Sequence, residues 1–164
     1  MSQARTHRVS LEKGQIGLIS DTHGLIRFEA MEALRGVEMI LHAGDIGKLE
    51  VLASLGAIAP VIAIKGNNDA AAWASRMPGL RNLEINNVKI HLIHDIHDVH
   101  EDLRAAGFHV VVSGHSHKPS VTKRDGLYWV NPGSAGPKRF NFPVTVGRLS
   151  LKGTEVSAEI IEVI

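Results

Sequence analysis

Short apolar, β-branched runs alternate with stretches of helical spacing along the first half of the chain. Each run stops at small or polar residues. Ile16–Ile19 ends in Ser20-Asp21, Glu38–Leu41 in His42-Ala43-Gly44-Asp45, and Val61–Ile64 in Gly66-Asn67-Asn68-Asp69. Between them, Leu25–Leu34 spaces Leu25, Phe28, Met31 and Leu34 along one broad helical face, stopped by Gly36. Lys48–Leu55 is helical and stops at Gly56, and Ala70–Ser75 is a short helical stretch.

Asn82–Ile85 and Val88–Ile93 flank Asn86-Asn87, a hairpin signal, because Asn tolerates positive φ. Asp98–Ala106 has helical spacing closed by Gly107. His109–Val112 runs into Ser113-Gly114-His115-Ser116-His117, and Leu127–Val130 into Asn131-Pro132-Gly133-Ser134. Thr145–Leu151 and Glu155–Ile161 are alternating strands around Lys152-Gly153. An early β-α-β-α-β order predicts a parallel sheet. The later, mostly β part predicts a second one. The expected fold is α/β: two packed mixed sheets flanked by helices, a four-layer αββα sandwich in a single domain over residues 1–164. Residues 1–14 are polar and are expected to form a flexible tail.

Composition narrows the chemistry by exclusion. At 164 residues, with 44% hydrophobic and 21% charged residues, the chain can bury a core without staples. A net charge of +1 offers no bulk attraction for long nucleic acid or anionic membrane. With no cysteine there are neither disulfides nor thiolate sites, which suits a cytoplasmic protein. No apolar run approaches membrane-spanning length, and the N-terminus lacks the apolar stretch of a signal peptide. Ten histidines are many, and seven of them fall between His91 and His117.

The polar residues that end the apolar runs carry the chemistry, because open α/β sheets bind ligands outside their strand C-termini. Those ends supply Asp21, His23, Asp45, Asn67, His94, His115 and His117. Two carboxylates, one amide oxygen and four imidazoles suit Mn, Fe, Co, Ni or Zn, and are too many ligands for one ion. Asp21 with His23, and His115 with His117, are i, i+2 pairs that extended backbone would turn to one side. Taken singly, Asp21, Asp45 and Asn67 would pass for helix caps, and the histidines for surface or core residues. His42 reads as structural, Trp73 and Trp129 as packing residues.

Asp21-Thr22-His23, Gly44-Asp45, Gly66-Asn67-Asn68-Asp69, His94 and Gly114-His115-Ser116-His117 together resemble the ordered motif series of the calcineurin-like metallophosphoesterases. Size and the Asn131-Pro132-Gly133-Ser134 turn make the chain similar to the small YfcE-like prokaryotic phosphodiesterases. The resemblance implies two divalent ions, Mn first among them and Ni, Zn, Fe or Co as alternatives. Asp21, His23 and His117 would hold one ion, Asn67, His94 and His115 the other, with Asp45 bridging. A hydroxide between the ions would attack phosphorus. Asp45, His23 and Asn68 would then lie at the reaction centre, with Asn67, Asn68, Arg139 and His97 as candidate substrate contacts.

In the large phosphatases of that superfamily the residue after the ligand Asn is a His that helps protonate the leaving group. Asn68 stands there and cannot transfer a proton at neutral pH. Diesters and activated esters are therefore the expected substrates. Asp95 stands where the family often has Gly. The resemblance also admits a non-catalytic interaction scaffold of the same fold. Family habit further implies a homodimer or homotetramer acting on a small phosphate ester.

Overall fold

The computed structural model describes residues 5–164. Eleven strands form two sheets among these residues. The first comprises β2 (Gln15–Ile19), β3 (Met39–His42), β4 (Val61–Ala63), β10 (Thr145–Lys152) and β11 (Glu155–Glu162), in the order β11-β10-β2-β3-β4. β2, β3 and β4 are parallel, as the β-α-β-α-β pattern requires, and β10 pairs antiparallel with both β2 and β11.

The second sheet comprises β1 (Thr6–Val9), β5 (Leu80–Ile85), β6 (Val88–Ile93), β7 (Val110–Val112), β8 (Ser120–Arg124) and β9 (Leu127–Asn131). Its order is β1-β5-β6-β7-β9-β8, with β6, β7 and β9 parallel. Asn86 and Asn87, with φ of 50° and 70°, turn the β5–β6 hairpin as their side chains allow.

The main core lies between the sheets. Ile16, Leu18, Leu41 and Leu149 from the first meet Leu83, Ile90, Val110 and Val130 from the second. Helices α1 (Phe28–Ala33) and α2 (Leu49–Gly56) cover the outer face of the first sheet, burying Ala30, Leu34, Val51 and Leu55 against Ile19, Ile40 and Val146.

Three sequence expectations are corrected. The tail reading of residues 1–14 fails over Thr6–Val9, which pairs in parallel with β5 at the sheet edge; residues 1–4 lie outside the described residues. The α1 face is set by Ala30 and Leu34, while Leu25 and Phe28 are 37% and 70% exposed. Asp98–Ala106 forms no α-helix. Ile96–Asp98 is a 3-10 turn, and one loose turn follows, with the Ala106 N–H donating to the Asp102 carbonyl. From that segment Leu103 joins a small outer core and the half-buried Val99 packs against it, too few apolar contacts to hold a helix. Ser120–Arg124, polar and given no element by the sequence pattern, is an antiparallel edge strand on β9.

Candidate metal centre

Six parallel strands of the two sheets point their C-terminal ends at one rim of the sandwich, and every candidate ligand leaves from such an end. The loops are laced together there. The Asp21 and His23 amides donate to the carbonyls of Gly44 and Asp45 at 3.0 and 2.9 Å, and the Gly114 amide donates to the His94 carbonyl at 2.9 Å.

The expected i, i+2 pairs do face one site, but not through extended backbone. Asp21, His23, Asp45, His115 and His117 all have positive φ, between 47° and 71°. Left-handed backbone at a non-glycine residue costs about 1–3 kcal/mol and persists where surroundings over-determine it, above all at functional sites. Between Asp21 and His23, Thr22 points the other way: its hydroxyl accepts from His42 Nε2 at 2.9 Å and donates to the Ile46 carbonyl.

Five side chains converge. Asp21 Oδ1 lies 3.5 Å from His117 Nε2 and 3.9 Å from both His23 Nε2 and His94 Nε2. Asp45 Oδ2 lies 3.4 Å from His94 Nε2 and 3.7 Å from His23 Nε2. His23 and His117 bring their Nε2 atoms to 3.4 Å. On the His94 side, Asn67 Oδ1 lies 3.0 Å from His94 Nε2 and 3.3 Å from His115 Nδ1. All seven candidate ligands thus belong to one connected cluster, with Asp21 and Asp45 both set between His23 and His94. Asp21, His23 and His117 form one metal-sized donor group, and Asp21, Asp45 and His94 another.

Two features fit this set to cations. Asp21 Oδ2 accepts from the Ser20 hydroxyl at 2.8 Å and the His115 amide at 3.1 Å, whereas Oδ1 is buried with no hydrogen-bond donor. An orphaned carboxylate oxygen inside a protein is costly unless something positive faces it. His94 donates Nδ1–H to the Ala43 carbonyl at 2.7 Å, which leaves the Nε2 lone pair aimed at the centre.

Electrostatics differ from residue to residue. Burial pushes the Asp21 carboxyl above its ordinary value, against the pull of His94. Burial acts the same way on Asp45, but hydrogen bonds with His94 and the Asn68 amide, and the charges of His94 and His23, hold it well below the carboxylate range. Burial lowers His117, more than the Asp21 charge raises it, and the charges of His23 and then Arg139 lower it further. Arg139 is exposed. The His97 side chain is 85% exposed, with Nδ1 bound to Asp95 Oδ1 at 2.8 Å.

Asn68 is turned inward, donating from its backbone to Asp45 Oδ1 at 2.9 Å and from its side chain to Oδ2 at 3.1 Å. Asp95 faces two histidines, with Oδ2 3.6 Å from His115 Nε2. Sequence reasoning missed one support, Asp69. Asp69 accepts from the Ile46, Gly47 and Gly66 amides at 3.0, 3.0 and 2.9 Å, tying the Asp45 loop to the Asn67 loop. Its place at the end of Gly66-Asn67-Asn68-Asp69 was the available signal. Ser134 donates to the Asp21 carbonyl at 2.9 Å, and Asn131 to the Gly114 carbonyl at 2.9 Å, which places the Asn131–Ser134 turn beneath the ligand loops.

Residues 15–154 match the calcineurin-like phosphoesterase superfamily domain. A probable metallophosphoesterase of Methanothermobacter thermautotrophicus is 35% identical over 158 residues, covering 89% of this chain and 91% of that protein. Among solved structures, an archaeal phosphodiesterase superposes with a TM-score of 0.72 at 25% identity, over 90% of this chain and 98% of its own. Vacuolar protein sorting 29 of Cryptosporidium parvum shares the fold, with a TM-score of 0.75 at 20% identity, over 92% and 98% of the two chains.

Proposed function

The chain belongs to the calcineurin-like phosphoesterase superfamily, and on that premise we propose that it is a phosphodiesterase dependent on two divalent metal ions. One observation carries the reading: the orphaned, buried Asp21 Oδ1 and the inward Asp45 Oδ2 face the Nε2 atoms of His23, His94 and His117 at 3.4–3.9 Å. Asp21, His23 and His117 would hold one ion and Asn67, His94 and His115 the other, with Asp45 shared. When bound, such a pair lowers the pKa of water toward neutrality and neutralises charge on the attacking and leaving oxygens of an in-line displacement. Mn is the proposed ion, and Ni, Zn, Fe and Co suit the same donors.

The chain's own groups do the positioning. Asn68 fixes the Asp45 carboxylate from both oxygens, so the shared ligand cannot rotate away. Ser20 and the His115 amide fix Asp21, and the Ala43 carbonyl fixes His94. Arg139 is the proposed clamp for a non-bridging phosphoryl oxygen, a task for which a guanidinium fork is suited. No group at position 68 can donate a proton to a poor leaving group, which favours diesters and activated esters over alkyl monoesters. The absence of cysteine supports a cytoplasmic setting. Among the described residues no helix is long and apolar enough to cross a membrane.

A protein-interaction scaffold of the same fold is the second reading, favoured by the likeness to vacuolar protein sorting 29. A complete ligand set argues for the enzyme, since a scaffold has no need of one. The deciding experiment compares bis-p-nitrophenyl phosphate with an alkyl monoester on Mn-loaded protein, before and after chelation. Chelator-sensitive turnover that favours the diester is expected. Faster turnover of the alkyl monoester, or none of either, would sink the proposal.

A further inference from the structure

Beside the candidate metal centre, on the far side of His115, lies a cavity of about 200 Å³ between the Asp95–His97 turn and the outer face of β8 and β9. Register explains its wall. Thr122 pairs with Trp129 and Ser120 with Asn131 across β8 and β9, so period-2 alternation sets Ser120, Thr122 and Arg124 on one face with Trp129 and Asn131. Arg124 lies over the Trp129 ring at 4.8 Å, with no carboxylate within 4.0 Å among the described residues. Trp129 Nε1 is buried without an acceptor, a donor that costs about 1–3 kcal/mol when unmet. Ser116 Oγ accepts from the Lys118 amide and from Asn131 Nδ2, which leaves its own hydrogen free.

The wall is therefore rich in donors and hydroxyls, floored by an indole, and shares His115 with the proposed reaction centre. A cavity of roughly 150 Å³ holds a benzene ring, so this one has room for a single sugar ring. A monoester would have no group to put there, whereas the second arm of a diester would extend into it.

Resting on the phosphodiesterase reading, we infer that this cavity binds the second, sugar-bearing arm of a phosphodiester, as in a nucleoside ester, with Arg124, Thr122, Ser116 and Trp129 as its contacts. A sugar hydroxyl would pair with Ser116 or Thr122, and a ring oxygen would meet the Arg124 fork. These residues select substrate; none touches phosphorus.

Two probes test this. Thymidine 5′-(p-nitrophenyl phosphate) has the sugar arm and p-nitrophenyl phosphate lacks it. Arg124→Ala empties the wall, and Thr122→Trp fills the cavity from an exposed strand position. In both variants KM for the thymidine diester should rise about tenfold, one order in the transition-state comparison, while kcat/KM for p-nitrophenyl phosphate stays within about twofold of the parent. Equal losses on both substrates, or no change on the diester, would overturn the inference.

A binding readout separates this inference from the reading it rests on. Thymidine 5′-monophosphate titrated into the parent protein should shift the Trp129 indole N–H resonance and leave Trp73 unmoved, and the shift should vanish in Arg124→Ala. Hydrolysis of bis-p-nitrophenyl phosphate with a still Trp129 resonance removes the sugar subsite alone. A moving resonance without any hydrolysis keeps the subsite and removes the phosphodiesterase.

Discussion

Asn68 grips Asp45 by both carboxylate oxygens, with its backbone amide on Oδ1 at 2.9 Å and its side-chain amide on Oδ2 at 3.1 Å. Asp45 is the proposed shared ligand, so its rotation governs both halves of the centre. Asn68→Ala removes the side-chain hold and keeps the backbone one. Metal affinity or activity should fall about 10–100-fold, the usual cost of losing a group that orients a ligand, with the urea midpoint of chelated protein nearly unchanged. Equal turnover and equal metal affinity would show that Asn68 has no positioning role.

Gly66 is needed for the same carboxylate. A Cβ at this position would land on Asp45 Oδ1 and on the Asp45 backbone nitrogen. Gly66→Ala should therefore displace Asp45 and abolish metal-dependent turnover. Circular dichroism should show a folded protein, because the clash is local. Retained turnover would mean that the Asp45 loop is freer than its hydrogen bonds imply.

Asp69 works one layer below. It accepts three backbone amides from two loops while nearly buried. Each hydrogen bond to a charged group is worth about 1.5–3 kcal/mol, and the amides left behind would be unmet. Asp69→Ala should cost about 3–5 kcal/mol of stability in chelated protein, read by urea denaturation. A loss under about 1 kcal/mol would contradict this bracing role.

The centre was legible in the sequence because its chemistry and its topology coincide. Asp21, Asp45, Asn67, His94 and His115 each follow an apolar run, and such runs are strands whose ends meet at one rim. Their backbone was not legible. Extended geometry was expected at Asp21-Thr22-His23 and His115-Ser116-His117, and positive φ was found, since only tertiary hydrogen bonds make it affordable to Asp and His. The edge strands, one read as tail and one given no element, escaped for a different reason. Thr6–Val9 and Ser120–Arg124 each have one covered side in the sheet plane and little apolar burial, so their hydrophobic pattern is faint. Asp98–Ala106 had helical spacing, but too few apolar positions to dock it.

His42 provides a test by pH. It is fully buried and bonded at both ring nitrogens, to the Gly44 amide and the Thr22 hydroxyl. Burial lowers its pKa from 6.5 to about 3, more than the Asp69 charge raises it. Between those values the unfolded chain binds a proton that the folded chain refuses, so stability is lost as pH falls from 6.5 toward 3. The slope is about 1.4 kcal/mol per pH unit once pH is well below 6.5. Urea midpoints of chelated protein from pH 7 to pH 5 should fall more steeply in the parent than in His42→Gln. Parallel slopes would assign the acid sensitivity elsewhere.

Stoichiometry of metal on stripped and Mn-reloaded protein, measured by elemental analysis after removal of free ion, addresses the two-ion centre most directly. Two ions per chain are expected in the parent and one or fewer in Asp45→Asn, since that substitution removes the shared charge. No bound metal in the parent, or two ions held unchanged by Asp45→Asn, would contradict a dinuclear centre built on Asp45.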